Sequence, residues 1–195
     1  MMQNNLKIAI TGGIGSGKSE VLKIIKEQGY STVSCDEIYR ELLRDRTFIQ
    51  TLVNEFGDIL KIDGSLDRDK LSSIVFNDRD KLKRLDEITH PRILEECLKA
   101  MPQDGISFCE VPILFECGYE RLFDNVIVVL RDKSLRISAV VERDKISENK
   151  VVNRINSQLN YENLQFEKYY VIHNSSNLAY LTQQTLEILE KIVKK

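Results

Sequence analysis

The stretch Gly12-Gly13-Ile14-Gly15-Ser16-Gly17-Lys18-Ser19 decides the reading of this chain. It fills every fixed position of the pattern glycine, four residues, glycine, lysine, serine or threonine. The apolar run Leu6-Lys7-Ile8-Ala9-Ile10-Thr11 precedes it and reads as a buried strand. Glu20-Val21-Leu22-Lys23-Ile24-Ile25-Lys26-Glu27 follows it and reads as a helix. That strand–loop–helix context is what gives the pattern its phosphate-binding meaning. Glycines let successive backbone N–H groups point into one concavity without Cβ clashes. A helix start at Gly17-Lys18 adds unsatisfied N–H groups and the positive end of its dipole. Lys18 then reaches the β- and γ-phosphates, and the Ser19 hydroxyl ligates Mg²⁺. A dinucleotide-binding turn fits less well. Gly13 and Gly15 begin its spacing, but its third glycine position falls on Lys18.

Beyond this stretch, strand and helix patterns alternate, which argues for a mostly parallel sheet covered by helices on both faces. Further strands are expected over residues 30–34, 106–111, 125–130 and 169–173, with Asn125-Val126-Ile127-Val128-Val129-Leu130 the clearest. Residues 37–57 carry helical spacing, with Gly57 as a stop, and so do 66–76 and 80–101. This long helical excursion exceeds what a crossover requires and is expected to build a substrate-facing subdomain. Residues 133–159 read as two charged helices broken near Lys145-Ile146-Ser147, with Ser147-Glu148 a helix start. Residues 178–193 form a closing amphipathic helix.

The 195 residues suit one domain with a substantial core. A net charge of −2, with basic residues spread along the chain, points away from a nucleic-acid surface. No apolar run approaches bilayer length, and Met1-Met2-Gln3-Asn4-Asn5 is too short and polar for a signal peptide. Cys35, Cys97, Cys109 and Cys117 lack Cys-x-x-Cys spacing and are expected to be small buried thiols in a reducing cytoplasm, with metal or disulfide use the alternative.

Asp36 directly follows the second strand, where strand ends face the ligand crevice of such a sheet. A carboxylate there is either a helix N-cap for a helix starting at Glu37, or the acceptor of an attacking hydroxyl's proton, or both. Glu110 near the end of the third strand is placed either for the Mg²⁺ shell or as a solvated strand-end carboxylate. Arg136, Arg143 and Arg154 could close over a γ-phosphate and exclude water, or form a salt-bridged helix face. His90-Pro91 is expected to end or kink its helix; His90 either touches a phosphate or is structural. Pro112-Ile113-Leu114-Phe115 beside Glu116 reads equally as a pocket lining and as core.

With these residues assembled, the chain resembles the dephospho-coenzyme A kinase family, nearly end to end from Ile8 to about Val193. The resemblance is carried by Thr11–Ser19, Asp36, Asp63-Gly64, Leu66-Asp67-Arg68 and His90-Pro91. It continues through Val111–Glu116, Arg143-Asp144, Arg154-Ile155 with Gln158, and Val171-Ile172 with Asn174. The loop alone is shared by many kinases; the stretch Pro112–Glu116 and the His-Pro pair are more specific. The resemblance implies a three-layer α/β P-loop kinase fold with a five-stranded parallel sheet. Its core would be about 6–36, 104–131 and 168–195, its helical CoA subdomain about 37–103 and its lid about 132–160. It implies transfer of the ATP γ-phosphoryl group to the ribose 3′-hydroxyl of dephospho-CoA, with Mg²⁺. The chain is expected to be a cytoplasmic monomer that binds neither nucleic acid nor membrane.

In that family reading Asp36 is the base, and Gly12, Gly13, Ile14, Gly15, Ser16, Gly17 and Lys18 hold the ATP phosphates. Ser19 holds Mg²⁺ directly, with Glu110 behind it. Arg143 is the lid arginine and Arg154 lies against the adenine. Arg68, His90 and the patch Pro112, Leu114, Phe115 and Glu116 form the acceptor pocket. Two departures stand out. The basic residue usual four positions before the Arg143-Asp144 pair is Ala139 here, with Arg136 a candidate replacement on the same helix. The threonine usual after the Mg²⁺ serine is Glu20, which is expected to point away from the phosphates. Another nucleotide kinase or a P-loop regulatory ATPase would share the loop. A GTPase reading fails because Asn149-Lys150 continues as Val151-Val152.

Overall fold

A computed structural model of the chain describes residues 5–194, the side chain of Glu162 excepted. Residues 1–4, on which most of the signal-peptide reading rests, lie outside the described residues. The chain divides into two compact units: residues up to Val33 together with those from Met101, and Ser34–Ala100.

The first unit is built on a five-stranded parallel sheet: β1 (Leu6–Thr11), β2 (Ser31–Ser34), β3 (Ile106–Glu110), β4 (Asn125–Leu130) and β5 (Tyr170–His173). The order is β2-β3-β1-β4-β5, so β1 is central. Its register sets Ile10 opposite Glu110 on β3 and Ile127 on β4. The strands flanking β1 lie on opposite sides of the reversal in strand order, and a crevice opens outside the carboxyl ends at such a point. The loop after Thr11 leaves β1 there. Ile8, Ala9, Ile10 and Thr11 are fully buried in succession, as a strand covered on both faces requires. α1 (Lys18–Glu27) buries Val21, Ile24 and Ile25 at helical spacing. These meet Leu181, Ile188 and Ile192 of α8 (Leu178–Val193) in one cluster with Ile8, Ile10 and Phe108. Each of Ile8, Ile10 and Phe108, fully buried, contributes about 1.5–3 kcal/mol of transfer free energy.

α6 (Lys133–Asp144) and α7 (Glu148–Asn156) are separated where the charged segment was expected to break. Lys145, at φ 54°, closes α6 in the left-handed region, and Ser147 occupies the N-cap of α7.

The second unit is helical. The expected single stretch over 37–57 is two helices, α2 (Cys35–Leu42) and α3 (Arg46–Phe56). Asp45 starts the second, its carboxylate accepting the Phe48 N–H at 2.7 Å. The apolar spacing continues across this turn because Leu42, Leu43, Phe48, Ile49 and Leu52 fill one cluster from both sides of it. α4 (Arg68–Val75) is capped by Asp67, which accepts from Asp69 and Lys70. α5 (Arg79–Ala100) carries Pro91 inside and does not end there. Leu82, Leu85 and Ile88 before the proline and Ile93 after it pack on the same cluster. That burial offsets the cost of an interior proline, about 3 kcal/mol.

Candidate active site

The loop from Gly12 to Ser16 is shaped by what takes its carbonyls. Lys18 Nζ donates to the carbonyls of Gly12 (2.8 Å) and Gly13 (3.2 Å). Arg136 Nε donates to Ile14 O at 2.9 Å, Arg131 to Gly15 O at 3.3 Å and Asn174 Nδ2 to Ser16 O at 2.8 Å. Five consecutive carbonyls are thus satisfied by side-chain donors. The start of α1 then supplies N–H groups that no helical carbonyl reaches, beside the positive end of its dipole. Gly17, at φ 96°, turns the chain into α1 in the left-handed region, and a Cβ there would strike Asn174 Nδ2. Ser16 Oγ and Arg131 Nε are buried without a hydrogen-bond partner. Both residues line a cavity of about 250 Å³ beside the loop, with Gly13, Asp132, Arg136 and Ser175. Orphaned donors at a phosphate-type loop suit an anionic ligand.

Ser19 and Glu110 meet: the hydroxyl donates to Glu110 Oε1 at 3.0 Å. Glu110 ends β3 and is 6% exposed, so it is not a solvated strand-end group. A hydroxyl and a carboxylate are oxygen donors of the kind Mg²⁺ takes while keeping several waters. Glu20 turns to Lys23, 3.6 Å away along α1.

Asp36 is the second residue of α2, exposed in its first turn. The N-cap is Ser34, so the expected capping role is corrected: the helix begins at Cys35, two residues earlier than the sequence spacing indicated. Tyr39 follows one turn later on α2. Burial pushes the Tyr39 phenol up, with the Arg68 charge opposing and Asp86 adding to the rise. Asp86 also faces His90 across one turn of α5, Oδ1 to Nε2 at 3.3 Å. Burial lowers the His90 imidazole below its usual value, against the raising effect of Asp86. The second unit therefore gathers Arg68 and His90 around Tyr39 and Asp86.

Arg143 and Arg154 share Asp144. Arg143 Nε lies 2.7 Å from Oδ1, and Arg154 reaches Oδ2 at 3.1 Å. The hydrogen bond from Arg143 is the first cause holding the Asp144 carboxyl below its usual range. Both arginine side chains are more than half exposed. Arg136 is different: it is 7% exposed and lies on the loop rather than with Arg143.

Leu114 is fully buried, Pro112 and Phe115 are half-buried, and Glu116 is exposed. Phe115 sits among the rings of Tyr161, Phe166 and Tyr169 at centroid distances of 6.1, 6.0 and 5.4 Å. The buried Tyr161 hydroxyl bonds Thr11 Oγ1 at 3.1 Å, and burial pushes its pKa up to about 12. Glu116 Oε1 accepts the Leu159 N–H at 3.4 Å.

The sequence profile of the family described as Dephospho-CoA kinase matches residues 6–180. The chain belongs to the dephospho-CoA kinase family. It is 35% identical over 188 residues to "Dephospho-CoA kinase" of Fusobacterium nucleatum subsp. nucleatum, covering 95% of this chain and 97% of that one. The Helicobacter pylori protein of the same description is 36% identical over 193 residues, with the same coverage. Among solved structures, "Dephospho-CoA kinase from Campylobacter jejuni" superposes with a TM-score of 0.71 at 29% identity, covering 98% of each chain.

Within this dephospho-CoA kinase family member, residues that the sequence reading left without a role hold the loop or lie in the cluster of the helical unit. Asn174 and Gln158 were visible only as marks of the resemblance. Arg131, Tyr161 and Tyr39 carry no motif that points to them. Asp86 was detectable by its helical i, i+4 spacing to His90.

Proposed function

We propose that the chain transfers the γ-phosphoryl group of ATP to the ribose 3′-hydroxyl of dephospho-CoA, giving coenzyme A and ADP, the final step of coenzyme A biosynthesis. The acceptor oxygen attacks the γ-phosphorus, the bond from that phosphorus to the β–γ bridging oxygen breaks, and the hydroxyl proton passes to Asp36. Lys18 and the loop N–H groups hold the ATP phosphates, and Arg143 meets the charge of the transferring group. Arg154 lies against the adenine. Arg68, His90 and the Pro112–Glu116 stretch bind the acceptor. Ser19 and Glu110 would hold Mg²⁺, which supplies charge neutralisation on the phosphates when bound. We assign residues of about 37–103 to the acceptor subdomain and about 132–160 to the lid, and the enzyme to the cytoplasm as a monomer.

The observation that carries this reading is the loop whose Gly12–Ser16 carbonyls are each tied by a side chain, in a chain matched to the family over residues 6–180. The family match names the acceptor. A coupled ADP-release assay with dephospho-CoA, AMP, adenosine and shikimate tests it. Release that depends on dephospho-CoA is expected. Equal release without any acceptor would replace the kinase with an ATPase.

A further inference from the structure

Ile14 lies midway along the loop and is held at three points by the α6–α7 pair. Its carbonyl accepts from Arg136 Nε at 2.9 Å. Its N–H donates to Gln158 Oε1 at 2.7 Å. Its side chain packs on the cluster of Val140, Val151 and Ile155. Arg136 is the fourth residue of α6, and Gln158 lies two residues past the end of α7. Both ends of the helix pair therefore reach one residue of the loop.

The approach is close enough to dictate composition. A Cβ on Gly13 would strike the Arg136 guanidinium. One on Gly15 would come within 2.6 Å of Arg136 O and 3.0 Å of Val140 Cγ2. Glycines on both sides of Ile14 leave the backbone with few conformational limits of its own. Its conformation must then be imposed from outside. Bonds to both the N–H and the C=O of one residue fix the peptide planes on either side of it. The cation and the carboxamide act on the same residue from different segments, so neither can be lost without loosening the loop.

We propose that Arg136 and Gln158 are positioning residues of the donor site, clamping Ile14 so that the loop amides keep the geometry that binds the triphosphate. This rests on the reading of the loop as the ATP site. It also gives Arg136 a task other than that of a second arginine beside Arg143.

Gln158→Leu keeps the bulk and removes the acceptor; Gln158→Glu keeps an oxygen acceptor at similar reach. Arg136→Lys keeps the cation and loses the Nε donor. ATP affinity by titration calorimetry should weaken about tenfold in Gln158→Leu and Arg136→Lys, the scale of a lost hydrogen bond that leaves a half-buried partner unpaired. Gln158→Glu should recover most of that loss. In turnover, the KM for ATP should rise while the KM for dephospho-CoA stays within about twofold, because the loss concerns donor binding alone. The Ile14 amide should exchange slowly with solvent in the parent and faster in Gln158→Leu. ATP affinity within about twofold of the parent in both Gln158→Leu and Arg136→Lys would overturn the proposal, whatever their stability. If Gln158→Leu does not fold, Arg136→Lys decides the same question. A parent that binds ATP but transfers nothing to dephospho-CoA would overturn the acceptor reading and leave this test standing.

Discussion

The Ser19 hydroxyl donates to the Glu110 carboxylate at 3.0 Å, tying the first turn of α1 to the last residue of β3. The pair brings two oxygen donors together at the carboxyl edge of the sheet, next to the loop. Glu110→Gln keeps the shape and can still accept from Ser19, but removes the charge. The Mg²⁺ concentration for half-maximal activity is expected to rise about tenfold, the effect of weakening groups that surround a metal. A Mg²⁺ titration of activity checks this, and an unchanged midpoint would detach Glu110 from the metal.

Lys18 is 8% exposed and lies under the loop, donating to Gly12 and Gly13. In the proposed reaction its cation serves both the loop and the phosphates. Lys18→Ala should therefore weaken ATP binding and lower kcat together, with kcat/KM falling by about 10²–10³. Steady-state kinetics with ATP varied would show whether both parameters move; a change in one alone would separate the two tasks.

Asp36 stands in the first turn of α2 and does not cap the helix, so its carboxylate is not occupied in holding that terminus. Asp36→Asn should leave ATP affinity unchanged and lower kcat about 10²–10⁴-fold, the range for a lost general base. Near-parent kcat would remove the proton-acceptor role.

Local sequence gave β1, β4, α1 and α8 closely because their apolar periods are produced by burial on one or both faces. It merged α2 with α3 because the cluster they share continues the period through their turn. Pro91 stays inside α5 for a related reason, since tertiary burial outweighs its local penalty. At the loop, Lys18 and Ser19 were legible from the motif. The donors that tie the loop, Arg131, Arg136 and Asn174, are more than a hundred residues away along the chain. Only the fold brings them in, so no spacing rule exposes them.

Tyr161 is buried, bonds Thr11 and has its pKa pushed up to about 12 by burial. The raised folded value means that its contribution to stability is full below the unfolded value near 10. It is lost as pH climbs through about 12. Tyr161→Phe should lower the melting temperature at pH 8 by about 2–6 °C, for a loss of about 1–2 kcal/mol. The variant should also lose part of the parent's destabilisation above pH 10. Identical alkaline melting curves would show that Tyr161 is not the titrating group.

His90 gives a pH dependence of opposite sense. Burial holds its imidazole below the usual value, with Asp86 at 3.3 Å opposing and Tyr39 and Arg68 in the same cluster. Its depressed folded pKa means that its share of stability is full above about 6.5 and is lost as pH falls through the lower folded value. In the proposed reaction it meets the phosphate-bearing acceptor. Phosphate groups on that acceptor favour the protonated form, so proton uptake and acceptor binding assist each other. The KM for dephospho-CoA is expected to fall, by about fivefold at most, as pH is lowered below about 6.5, the effect of one added charge pair worth about 1 kcal/mol. His90→Gln should flatten that profile while leaving the KM for ATP unchanged at each pH. A profile in the variant that parallels the parent's would assign the dependence to another group.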